Sequence, residues 1–91
     1  MIYTNSIAII RTRKDNVVGS HLISTRAYEK ANPHQFVYNG YRCSKFDVAE
    51  TVGGTIVLTL IDTLEFSKVT VTNTIYFENV TDIEIKTHHQ V

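Results

Sequence analysis

The cysteine and histidines of this 91-residue chain, five side chains in all, could ligate a metal or act as nucleophile and base: Cys43, His21, His34, His88 and His89. A metal centre needs several such groups converging, and none of these pairs has the spacing of a CxxC or HExxH site. His88 and His89 are adjacent, so on a strand they point to opposite faces. Cys43 follows Tyr41 and Arg42 on an apparent strand, where a free thiol is expected to act as a small buried hydrophobe rather than as a thiolate. Gly53-Gly54 lacks both the following Lys-Ser/Thr of a phosphate loop and the GxGxxG spacing of a dinucleotide site, and reads as a loop. No pair of carboxylates is set apart for acid/base work, because the acidic residues alternate outward along strands as a solvated face does. The sequence therefore predicts no catalytic residue, no metal site, no cofactor and no enzymatic activity.

Aromatic and basic residues make a different cluster. Tyr38, Tyr41, Arg42 and Lys45 fall around Asn39-Gly40, and Arg11 and Arg13 belong to the same basic half. Tyrosines on a β surface can stack bases while cations follow phosphates. Tyr and Arg are also the residues enriched at the energetic centres of protein interfaces, and a tight hairpin presents them with little ordering cost. A sequence pI near 6.9 gives little long-range attraction for a polyanion. These six residues are thus the expected interaction surface. A protein partner comes first, single-stranded nucleic acid second, and a small molecule held between subunits third.

The charge is zero overall but divided. Residues 1–45 carry seven basic and two acidic side chains, and residues 46–91 carry the reverse, giving +5 and −5. If the two halves pair in one sheet, or with a second copy, they neutralise each other. One cysteine excludes an intramolecular disulfide, so packing alone must stabilise the fold. No signal-peptide pattern opens the sequence, and no apolar run approaches the ~20 residues that span a bilayer, so the expectation is a soluble cytoplasmic protein. A domain of this size has room for a core but not for a deep cavity as well.

The elements that must position these residues read as strands. Twelve threonines, ten isoleucines and ten valines, with one proline, favour pleated, half-buried surfaces. Ile2 to Arg13 and Val17 to Thr25 form a hairpin around Asp15-Asn16, with Gly19 suited to a bulge. Arg26 to Gln35 reads as one or two helical turns stopped by Asn32-Pro33. Asn39-Gly40 is a type I′ turn signal that would pair Tyr38 with Tyr41 across a second hairpin. Between Ser44 and Val52 a helix competes with a strand, and the strand is favoured to Val48, followed by a loop through Gly53-Gly54. Ile56, Leu58 and Leu60 alternate with Val57, Thr59 and Ile61, as in a central strand covered on both faces. Asp62-Thr63 and Thr72-Asn73 read as turns on either side of a strand from Leu64 to Val71, followed by strands at Ile75–Phe77 and Thr81–Lys86.

The expectation is one all-β domain over residues 1–91, a small antiparallel barrel or sandwich of six or seven short strands with a meander in its C-terminal half and one short helix. Exposed strand edges and opposite charge in the two halves point to a homo-oligomer. Richness in Ile, Asn, Lys, Tyr and Phe, whose codons are AT-rich, in a single small domain fits an accessory protein of a phage or mobile element, acting as an inhibitor or in assembly.

Overall fold

The computed structural model describes residues 1–33, 40–64 and 66–88. Its order is β1 (Ile2–Tyr3), β2 (Ser6–Lys14), β3 (Val17–Thr25), α1 (Arg26–Ala31), β4 (Gly40–Cys43), β5 (Lys45–Glu50), β6 (Ile56–Leu64), β7 (Val69–Phe77) and β8 (Val80–Thr87). The strands form two four-stranded sheets, ordered β1-β5-β6-β7 and β4-β3-β2-β8. The all-β expectation holds. The described strands number eight, because Ile2–Tyr3 pairs separately with β5 and Ser44 divides β4 from β5.

Alternation decides which rows meet between the sheets. Cross-strand partners share a face, so Ala8, Ile10 and Ile23 of one sheet look towards Phe46, Leu58 and Leu60 of the other. With Cys43, Ile56 and Phe77 these make one core cluster, in which Ala8, Ile10, Ile23, Cys43, Phe46 and Leu58 are fully buried. The opposite row of β6, Val57, Thr59 and Ile61, is only half-buried. That strand is central in its sheet but covered on one face, because no element packs on the outside of this sheet among the described residues.

The first hairpin matches its sequence signal, with Asp15 at φ 56° in the left-handed region that a short Asx side chain tolerates. Gly19 stays in register with Thr12, and the irregularity lies on the other side of β2, between Arg11 and Thr12 against β8. A Cβ at Gly19 would stand 2.8 Å from Thr12 Oγ1, so close cross-strand approach is what glycine permits there. The chain then enters α1 through Thr25, whose hydroxyl accepts from the Tyr28 N–H at 3.2 Å and the Ser6 N–H at 3.0 Å. It thereby caps the helix and ties the start of β2 to the end of β3. Asn32 closes the helix by donating its N–H to the Tyr28 carbonyl at 2.9 Å.

Two local expectations, the turns at Asp62-Thr63 and Thr72-Asn73, are corrected, and a third lies partly outside the described residues. Beyond Asn39-Gly40, strand β4 runs parallel to β3, with Leu22 beside Gly40 and Thr25 beside Cys43. Parallel neighbours need a crossover of about a dozen residues, and the connector carrying α1 supplies it. The Tyr38 side of the proposed hairpin lies outside the described residues. Asp62-Thr63 continues β6, paired with Val71 and Thr70, and Thr72-Asn73 lies inside β7, paired with Ile61 and Leu60. At both places ladder pairing prevails over the local Asx turn. The chain reverses instead before Lys68, which adopts φ 54° and donates its N–H to the Leu64 carbonyl at 2.8 Å. The meander β5-β6-β7 is present, whereas β8 crosses to the other sheet.

Candidate interaction surface

The structure splits the expected Tyr/Arg residues, keeping Arg11, Arg13 and Arg42 on the outer face of one sheet and placing Lys45 on the other sheet. Arg11 and Arg13 share the outer row of β2, where register places them beside Ser20 and Val18. Arg11 is occupied: it binds Asp82 at 2.5 Å and Glu84 at 3.2 Å on β8, and these hydrogen bonds hold its guanidinium pKa above the ordinary value. Arg42 reaches Glu29 of α1 at 2.8 Å. Tyr41 is 44% exposed on the short edge strand β4, in the row of Ile23. Lys45 belongs to the outer row of the other sheet, with Ile61 and Thr72. Tyr38 lies outside the described residues. Among the described residues the basic and acidic halves meet where Arg11 binds Asp82 and Glu84, and where Arg26 binds Asp62.

That second pair forms a latch at the junction of the two sheets. Arg26, the first residue of α1, grips Asp62 of β6 through both carboxylate oxygens, one of them at 2.8 Å. Ser44, the hinge between β4 and β5, donates its hydroxyl to Asp62 Oδ1 at 2.9 Å and accepts the Thr63 N–H at 3.2 Å. The Arg26 hydrogen bond lowers the Asp62 pKa first and Ser44 assists, against partial burial that raises it. With its oxygens engaged, Asp62 locks the junction. Beside it Cys43 is buried, and desolvation pushes its thiol up to about 11, so it stays protonated at neutral pH. A groove of about 580 Å³ opens over the latch, lined by Arg26, Ala27, Ser44, Thr63, Leu64 and Phe66 as well as Asp62. Of the histidines, His21 packs on Phe77 with ring centroids 4.8 Å apart, and the His88 N–H binds the Asn5 carbonyl at 2.9 Å. His34 and His89 lie outside the described residues. No group of three or more His, Cys, Asp or Glu side chains converges among the described residues.

The open surface lies elsewhere, along β7. From Val69 to Phe77 this edge strand carries no charge, no proline and no glycine, and its first six residues are all exposed. An edge presents a row of unpaired backbone N–H and C=O groups, and proteins usually blunt it with charge, proline, a bulge or shortness. The other three edges are blunted in those ways. β1 has two residues, with the N-terminal ammonium on Asp47 at 2.9 Å. β4 has four residues, and β8 carries Asp82, Glu84 and Lys86. Among the described edge strands only β7 is long and uncharged.

The hairpin of β6 and β7 also overhangs the core. Leu60 is 6% exposed, but four residues on, past Asp62, the same row emerges as Leu64 at 47%, opposite Val69 of β7, while Val71 stands opposite Asp62. Phe66 at the tip is fully exposed. Beyond the Asp62 latch the row is apolar again, and among the described residues it continues exposed into the uncharged edge. Reading Thr72-Asn73 as a turn hid this feature, although the alternation Val69-Thr-Val-Thr-Asn-Thr-Ile-Tyr-Phe77 is unbroken and lacks the glycine that such a turn favours. No family model, no curated protein and no solved structure matches this chain.

Proposed function

We propose that this protein is a non-enzymatic binding module that acts through protein contacts by strand addition at β7, in an assembly role of the kind small accessory proteins of phages and mobile elements perform. The observation that supports this most is the nine-residue, uncharged edge of β7 beside three blunted edges. An extended polypeptide laid along such an edge gains main-chain hydrogen bonds along its length. Alternate side chains of the edge, Thr70, Thr72, Thr74 and Tyr76 on the outside and Val69, Val71 and Ile75 on the inside, then select what fits.

The nucleic-acid alternative would need cations gathered beside exposed aromatics, whereas Arg11 and Arg42 are held by carboxylates and Tyr76 is flanked by neutral residues. A photoreactive residue in place of Tyr76, which is 66% exposed, tests the proposal in the native cellular context. Polypeptide adducts are expected from position 76 and not from Lys86 on β8. Adducts with nucleic acid alone, or equal capture from both positions, would overturn it.

A further inference from the structure

We infer that the polypeptide added at β7 is β7 of a second copy, antiparallel about a twofold axis through Asn73, joining two sheets into one continuous eight-stranded sheet. This rests on the strand-addition reading and names its occupant. An isologous interface must be complementary to itself. The inner row of β7, Val69, Val71, Asn73, Ile75 and Phe77, reads nearly alike in both directions, apolar at four positions around a central asparagine. Pairing about Asn73 sets Val69 opposite Phe77, Val71 opposite Ile75, and Asn73 opposite itself. On the outer face Thr70 meets Tyr76 and Thr72 meets Thr74.

A slip by one residue would move the apolar row to the wrong face, and a slip by two would set Asn73 against Val71 or Ile75 and leave an amide facing aliphatic carbon. The central asparagine thus fixes the register, as a single buried polar residue does in a coiled-coil seam.

Charge singles out the same edge. β7 brings no like charges together against its own copy, whereas β8 would bring Asp82 and Glu84 against their copies. The seam is about 30 Å long at ~3.4 Å per residue. It also accounts for the overhang, because Val69 and Val71 of each copy come to lie beside Ile75 and Phe77 of the other, the end of β7 that belongs to the core. The apolar row that each chain leaves uncovered continues the core of its partner.

Cysteine placement tests the register on the full chain, since Cys43 is buried and does not compete. Residues directly opposite in antiparallel strands are ~4.5–5.5 Å apart at Cα, within the range of a disulfide. Under mild oxidation Asn73→Cys is expected to cross-link to its own copy. Thr70→Cys and Tyr76→Cys should link when mixed, and Thr70→Cys should not link alone. Sedimentation of the unmodified chain at tens of micromolar should show a dimer.

A monomer whose position-76 probe still captures another polypeptide overturns self-pairing and leaves strand addition standing. A dimer that does not link through Asn73→Cys, while Thr70→Cys links to itself, overturns the register. A monomer that captures no polypeptide at position 76 overturns both.

Discussion

Strands β7 and β8 invite comparison because they are built alike and defended differently. Each is an edge strand of its sheet, eight or nine residues long, antiparallel to one neighbour and alternating in side-chain type. The outer row of β8 carries Asp82, Glu84 and Lys86, and two of these are tied to Arg11 on the next strand. The corresponding row of β7 carries Thr70, Thr72, Thr74 and Tyr76. Backbone geometry offers both edges to a partner, and side-chain charge withdraws one of them. In this fold the side chains along an edge therefore decide where the molecule is closed and where it is open.

The largest expected effect breaks the open edge. Asn73→Lys places two ammonium groups against each other at the proposed axis. It should weaken self-association by at least about two orders of magnitude, or ~2.8 kcal/mol, as read by sedimentation equilibrium. Because Asn73 is exposed in the single chain, thermal unfolding of the monomer should change by no more than ~0.5 kcal/mol. An unchanged dimer would place the association elsewhere.

The next effect is smaller and opposite in sign. Replacing Asp82, Glu84 and Lys86 together by threonine gives β8 the chemistry of β7 and frees Arg11. With two open edges per copy, assembly should continue past the dimer, seen as a concentration-dependent rise in light scattering. If the triple variant stays at the size of the parent, charge is not what closes β8.

Much of this was legible in the residues, and the exceptions share a cause. The hairpin at Asp15-Asn16, the helix stopped at Asn32-Pro33 and the strand that resumes after Ser44 each follow from local chemistry that no distant contact contradicts. Cys43 is buried, as a free thiol on a strand is expected to be. The misread turns, Asp62-Thr63 and Thr72-Asn73, are Asx-type signals overridden by a partner far along the chain: Arg26 takes the Asp62 carboxylate, and β6 takes the backbone around Asn73. The expected Tyr/Arg residues are split between the sheets for a related reason. Sequence proximity groups residues by chain position, but the crossover through α1 makes β4 an edge of one sheet and sends Lys45 to the other. The open edge left a positive trace, an uncharged alternating run, yet its meaning depends on a negative fact: no described strand lies beyond β7.

The latch at the root of the overhang sharpens the comparison from another direction, because ion pairs tie β8 to its neighbour, whereas the exposed first part of β7 is paired to β6. Arg26 and Ser44 hold Asp62, and the Asp62 pKa lies below the ordinary carboxylate value as a result. A group depressed in the folded state contributes its stability in full above its unfolded pKa, near ~3.9 for Asp. That contribution declines as the pH falls below this value and is gone once the pH passes beneath the lowered folded value. Asp62→Asn keeps the shape but removes the titration, so it should flatten this acid limb in melting curves while leaving the shape of the neutral-pH plateau unchanged. The effect should be small, because the Arg26 side chain is 55% exposed and solvent screens the pair. If the latch also holds the β6–β7 arm at the angle that offers β7 to a partner, the same variant should loosen the dimer slightly at neutral pH. Equal acid limbs in parent and variant would mean that Asp62 is as well solvated in the folded chain as in the unfolded one, and that the arm is held by its ladder alone.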